Sequence, residues 1–257
     1  MNFFVATQTE LLKTKRTASF WLSLLAASFL PLIFFLAYTL NSEEAIEDFK
    51  GAPWKMHFKF GWDVLGAFLF PMYIVLICTL IPHIEYRNNT WKQVFAAPRS
   101  VGNIYFSKFV TIHLMIFFFY LLFNILMILA GVGANLIHAK FTFLAQPIDW
   151  SNLLKLNFKM YISILGMSSI MYWIALRFKN FIAPLGIGLA LLVGAMMALG
   201  FQWEHVYKIP FAHPILTVMG MKPGRPLIEN HEWNSIICFV VFTSLGFLDL
   251  RFRKERG

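Results

Sequence analysis

The 257 residues are 58% hydrophobic, 18% aromatic and only 14% charged, whereas a soluble domain is roughly half apolar and about a quarter charged. The apolar residues fall into long blocks between short polar loops, which excludes a separate aqueous domain and reads as one membrane domain over residues 1–257. The formal charge of +9 requires no nucleic acid where it lies in loops facing anionic lipid, so its distribution matters more than its size.

Residues Asn2 to Arg16 place Phe3, Phe4, Leu11 and Leu12 where they can share a helix face, with Glu10, Lys13 and Arg16 reaching toward water or headgroups. This pattern predicts an amphipathic helix at the inner membrane surface; a frayed leader to the first span fits the periodicity equally well. Ala18 to Leu40 follows Lys13, Lys15 and Arg16 and carries no charge. It is too long for a signal-peptide core and reads as span one.

Further spans are expected at about 61–82, 109–136, 160–176, 181–201 and 233–250. Each can cross about 30 Å of hydrocarbon at about 1.5 Å per residue, spans four and six lying near the lower limit of length. The blocks are continuously apolar rather than alternating, so the expected fold is all-α, with six transmembrane helices and no barrel. Cys78 and Cys238 lie inside apolar blocks and are assigned to packing.

Between spans two and three, Thr90 can cap a short helix on which Trp91, Val94 and Phe95 share a face while Lys92 and Gln93 point elsewhere. Pro98 stops that helix, and Ser100 can cap the one entering span three. Such a helix, held by two spans, is either a membrane-lying linker or an element that passes a push from a partner to both spans. On span five, Gly186, Ala190, Gly194 and Ala198 form a small-residue stripe suited to close helix packing, within the chain or against a second copy.

Two loops on the opposite side are long, the acidic Asn41 to Phe60 and the proline-rich Gln202 to Glu232. Phe211, Pro214, Ile215, Leu216, Val218 and Met219 predict an interfacial or re-entrant hairpin in the second, against a loop lying over the helix ends.

Thirteen of the 22 Lys and Arg residues group on one side: Lys13, Lys15, Arg16, Arg87, Lys92, Arg99, Lys108, Arg177, Lys179, Arg251, Arg253, Lys254 and Arg256. The positive-inside rule makes that side, with both termini, cytoplasmic. Lipid accounts for the basic excess, and no nucleic-acid partner is expected.

Intramembrane enzymes and ion-driven carriers need ionisable groups in the apolar region. Asp63 and Asp249 sit at span ends, and His113 lies a turn into span three, where it can snorkel or bond a backbone carbonyl. There is no HExxH, GxSxG or GxxxxGK[ST] pattern. The chain is therefore expected to have no catalytic residue, no metal site and no bound cofactor.

From Glu10 to Lys108 the sequence resembles the permease subunit of type-2 ABC exporters, and is similar to the branch associated with bacitracin and lantibiotic self-protection. The likeness rests on Glu85, on Thr90 with Trp91, on Pro98 with Arg99 and Ser100, and on Lys108; Asn89 stands where a glycine is commoner. It implies an export subunit of a bacterial inner membrane that pairs with a second permease copy as a homo- or heterodimer. A separate P-loop ATPase carrying ATP and Mg²⁺ would dock around Glu85, Thr90, Trp91, Lys92, Val94, Phe95 and Pro98. The competing readings are a non-transporting membrane scaffold, an ion-coupled carrier and a small membrane enzyme.

Overall fold

The structure, a computed structural model, describes residues 2–40, 51–220 and 226–253. The acidic stretch 41–50, residues 221–225 of the proline-rich loop and the basic tail 254–257 lie outside the described residues. The described chain is 83% helical without strands, and six helices are long and apolar enough to cross a membrane. The fold is that of an all-α integral membrane protein.

Helix α1 spans Phe3–Thr14 and α2 spans Ala18–Leu40. Span two is a composite of α3, Pro53–Val64, a π-helical turn, Leu65–Leu69, and α4, Phe70–Arg87. The π turn has a local cause. Pro71 has no N–H to return to the preceding turn, and Phe70 N–H bonds the Leu65 carbonyl five residues back. The short surface helix α5 is Trp91–Ala96, followed by α6, Val101–Ile137, α7, Trp150–Arg177, and α8, Ile182–Gly200. After two 3₁₀ turns come α9, His213–Met219, and α10, Asn230–Phe252.

Helices α2 and α6 form one pair and α7 and α10 another, with α4 between them touching α2, α6, α7 and α8. The Tyr73 hydroxyl ties α4 to both its neighbours in the first pair, at 2.9 Å from Ser23 Oγ and 3.1 Å from the Met115 carbonyl. Close approach of α7 and α10 rests on Gly166, where an added Cβ would lie 3.1 Å from the Ser235 carbonyl oxygen. Ser235 Oγ accepts from Gly166 N–H at 3.0 Å and donates to the Ile162 carbonyl at 2.7 Å. Small residues let the backbones meet, and the serine satisfies its hydroxyl inside the contact.

Several helices extend beyond the apolar blocks that announce them, because their charges find partners. Asp149 Oδ1 accepts from Asn152 N–H at 3.1 Å, capping α7 well before residue 160. Lys159 is held at 3.1 Å by Glu229, the N-cap of α10, and at 3.6 Å by Glu232 in its first turn. The end of the bundle bearing α1 and α5 is called basal below, and the end bearing α9 apical.

The apical hairpin is packed rather than draped. Phe211, His213, Pro214, Thr217 and Val218 are buried, and Val218 touches the π turn at Gly66. His213 Nε2 donates to the Tyr207 carbonyl at 2.9 Å, and Thr217 Oγ1 pairs with His231 Nε2 at 2.9 Å. Met219, expected to join this apolar set, is exposed instead.

Candidate coupling site

At the basal end the ends of α4 and α6 and the underside of α1 converge on four charged side chains. Glu10 and Lys108 are separated by 98 residues, yet Lys108 Nζ lies 2.5 Å from Glu10 Oε2 and 2.8 Å from Glu85 Oε1. Lys13 Nζ stands 2.7 Å from Glu10 Oε1 and 2.7 Å from Glu85 Oε1. Lys108 is 1% exposed, Glu85 2% and Glu10 4%, while Lys13 keeps 30% and closes the cluster toward solvent. Arg99 approaches Glu10 Oε1 at 4.0 Å.

Burial of two carboxylates and two ammonium groups is costly unless each is paired and hydrogen-bonded. Here each is. Burial draws the Lys13 pKa down, but the neighbouring Glu10 and Glu85 carboxylates outweigh it and leave the value above that of an ordinary lysine. Lys13 therefore stays charged across the physiological range.

The cluster reaches α5 through Thr90. Its hydroxyl donates to Glu85 Oε2, and its backbone N–H donates to the Glu85 carbonyl at 3.0 Å. Thr90 stands at the N-cap position, but its side chain makes no cap bond, because the buried carboxylate is the stronger acceptor. Trp91 is buried beneath α5, with Lys108 Nζ 5.5 Å from its ring centroid and Phe95 stacked on it at 5.5 Å. Lys92, Gln93 and Ala96 face outward. Helix α5 ends where Ala97 turns extended before Pro98, and Ser100 Oγ accepts from Asn103 N–H at 3.1 Å to start α6.

Asn89 has φ +52°, in the left-handed region. Asparagine tolerates this conformation better than most residues, so it fills a position that suits glycine. A cleft of about 430 Å³ opens beside α5, walled by Lys13, Asn88, Gln93, Val94 and Arg99 among others.

Sequence reading misplaced Glu10. It is not directed to water or headgroups but is buried against α6, and Lys13 is drawn in with it. The helix turns its apolar residues outward instead: Phe3, Phe4 and Leu12 are exposed. The signal was the recurrence of Ala6, Glu10 and Thr14 every fourth residue, which is the buried stripe of α1. The stripe on α8 is also placed differently from intramolecular packing. Gly186, Ala190 and Gly194 are exposed and Ala198 is half-buried, while Pro184, Gly188, Leu192 and Ala195 face the bundle. His113 bonds the Tyr161 hydroxyl through Nδ1 at 3.1 Å rather than a backbone carbonyl. Asp249 pairs with Arg253 at 2.8 Å and Arg177 at 3.3 Å, joining the basal ends of α7 and α10.

A family model described as ABC-2 family transporter protein matches residues 6–195, from α1 into α8 and across the whole basal cluster. The chain belongs to the ABC-2 transporter family. This makes it a membrane-embedded component of an ABC transporter rather than its ATP-hydrolysing part. Comparison with curated proteins and with solved structures returned no match. Within this ABC-2 chain the basal cluster joins four separate segments: α1, the end of α4, the α5 loop and the start of α6.

Proposed function

We propose that this ABC-2 protein is the membrane subunit of an ATP-driven exporter, and that α5 is where a separate P-loop ATPase binding ATP and Mg²⁺ docks. The observation that carries this reading is the rooting of α5. Its Trp91 face is locked to the Glu10, Glu85, Lys108 and Lys13 cluster, while Lys92, Gln93 and Ala96 remain open. A force applied to the open face of α5 would reach α4 through Thr90 and Glu85, α6 through Lys108, and α1 through Glu10. Rigid, hydrogen-bonded contacts of this kind transmit displacement better than solvated side chains.

The basal end carries Lys13, Lys15, Arg16, Arg87, Lys92, Arg99, Arg177, Lys179, Arg251 and Arg253, which supports a cytoplasmic basal face with both termini on that side. The motif of Glu85, Thr90, Trp91, Pro98, Ser100 and Lys108 supports placement near the bacitracin and lantibiotic self-protection permeases of bacterial inner membranes. The open stripe Gly186, Ala190, Gly194 and Ala198 would meet a second permease copy, since small residues left facing lipid allow close backbone approach.

Affinity purification of the tagged chain in mild detergent, with mass spectrometry and an ATPase assay, tests the reading. A P-loop ATPase should be recovered with the native chain and lost with Trp91→Ala or Phe95→Ala. Recovery of the chain without an ATPase, from cells expressing its native neighbours, would overturn it.

A further inference from the structure

A polar seam runs along the face where α6 meets α7, away from the basal cluster. Helix α6 supplies His113, Tyr120 and Asn124, and α7 supplies Asn157 and Tyr161. Asn124 Nδ2 donates to Asn157 Oδ1 at 2.8 Å, and Asn157 Nδ2 approaches Asn124 Oδ1 at 3.4 Å. The Tyr161 hydroxyl is 3.1 Å from His113 Nδ1. At about 1.5 Å per residue the seam begins about 8 Å along α6 from Lys108 and extends about 16 Å, with its α6 residues inside the apolar block 109–136. It contains no carboxylate or ammonium group.

Three buried polar atoms in and beside the seam lack a protein partner: the donors Tyr120 hydroxyl and Trp62 Nε1, and His113 Nε2. Tyr120 is only 6% exposed, and its ring centroid lies 5.5 Å from that of Trp62. An unmet donor at this depth is costly, because lipid chains offer no acceptor. A phenylalanine at position 120 would pack as well without that cost. His113, Asn124, Asn157 and Tyr161 are half-buried, so the seam opens to the surface of the bundle, beside exposed Phe117, Leu121 and Phe158. Unmet donors next to an apolar wall match a molecule with acceptor oxygens on an apolar chain. The lack of charge disfavours an ion.

We propose that this seam binds the ester, amide or ether oxygens of a neutral amphiphile within the membrane. As a station on a transport path the seam rests on the exporter reading; as a binding site it does not. The test uses the full chain in phosphatidylcholine vesicles with two long-chain diazirine probes, one bearing an amide beside the diazirine and the other all hydrocarbon. After irradiation, peptides covering 113–124 and 157–161 should carry more of the amide probe than of the hydrocarbon probe. Tyr120→Phe should lower the amide labelling about fivefold, the effect of one hydrogen bond, while Leu129→Phe on the exposed side of α6 leaves it unchanged. Equal labelling by the two probes in the native chain would overturn the proposal, as would amide labelling unaffected by both Tyr120→Phe and His113→Phe. The ATPase is absent from these vesicles, so a failure of ATPase co-purification leaves this result standing.

Discussion

Glu10 on the first helix and Lys108 near the start of α6 meet at 2.5 Å with neither side chain appreciably exposed. Removing one member of a buried pair leaves the other uncompensated, at a cost of about 3–5 kcal/mol. Lys108→Met should therefore lower the melting temperature in detergent sharply. Adding Glu10→Gln to that variant should recover part of the loss, since one of the stranded carboxylates is then neutral. Single variants that melt like the native chain would show that the cluster is not formed.

Asn89 tests the left-handed turn ahead of α5. Asn89→Gly should be neutral or slightly stabilising, whereas Asn89→Val, β-branched at φ +52°, should cost about 1–2 kcal/mol. Thermal unfolding of the two variants side by side separates backbone strain from loss of the asparagine side chain.

Glycines on opposite sides of α8 should behave differently. A Cβ at Gly188 would lie 2.6 Å from Val75 and 2.8 Å from Met171, while nothing stands within 4 Å of one at Gly186 or Gly194. Gly188→Leu should destabilise the single chain by about 1–3 kcal/mol through overpacking. Gly186→Leu with Gly194→Leu should leave the single chain within about 0.5 kcal/mol of native but weaken pairing of two copies. Melting curves report the first effect, and cross-linking in membranes the second.

His213 gives the apical hairpin a pH dependence. Burial, aided by His231 and opposed by the Tyr207 hydrogen bond, pushes its pKa down to about 3. The unfolded segment takes up a proton near pH 6.5 and the packed one does not, so the packed hairpin loses stability as pH falls from about 6.5 toward 3. The slope is about 1.4 kcal/mol per pH unit. The protection factors of amides in 211–219, each referred to the intrinsic exchange rate at its pH, should fall between pH 7 and pH 5, and His213→Gln should flatten that response. An unchanged slope in the variant would show that His213 is not the group responsible.

Composition and unbroken apolar runs were enough to establish the membrane class and the number of spans, because a bilayer admits few solutions to backbone hydrogen bonding. Ala18–Leu40 was readable to the residue for that reason. Helix α5 was legible instead from the spacing of Trp91, Val94 and Phe95 and the stop at Pro98. Helix ends were less legible where a charge was involved. Glu85, Lys108 and Lys159 look like loop residues in a hydropathy profile, and each lies inside a helix because a partner far away in sequence neutralises it. The motif carried Glu85, Thr90, Trp91 and Lys108 but not Glu10, whose inward turn depends on Lys108 being 98 residues away and 2.5 Å distant. The small-residue stripe on α8 was visible from spacing alone, yet which side of α8 the bundle covers was not. Spacing defines the faces of a helix; only the packing of the other helices decides which of those faces is used, and which donors, such as that of Tyr120, are left without a partner.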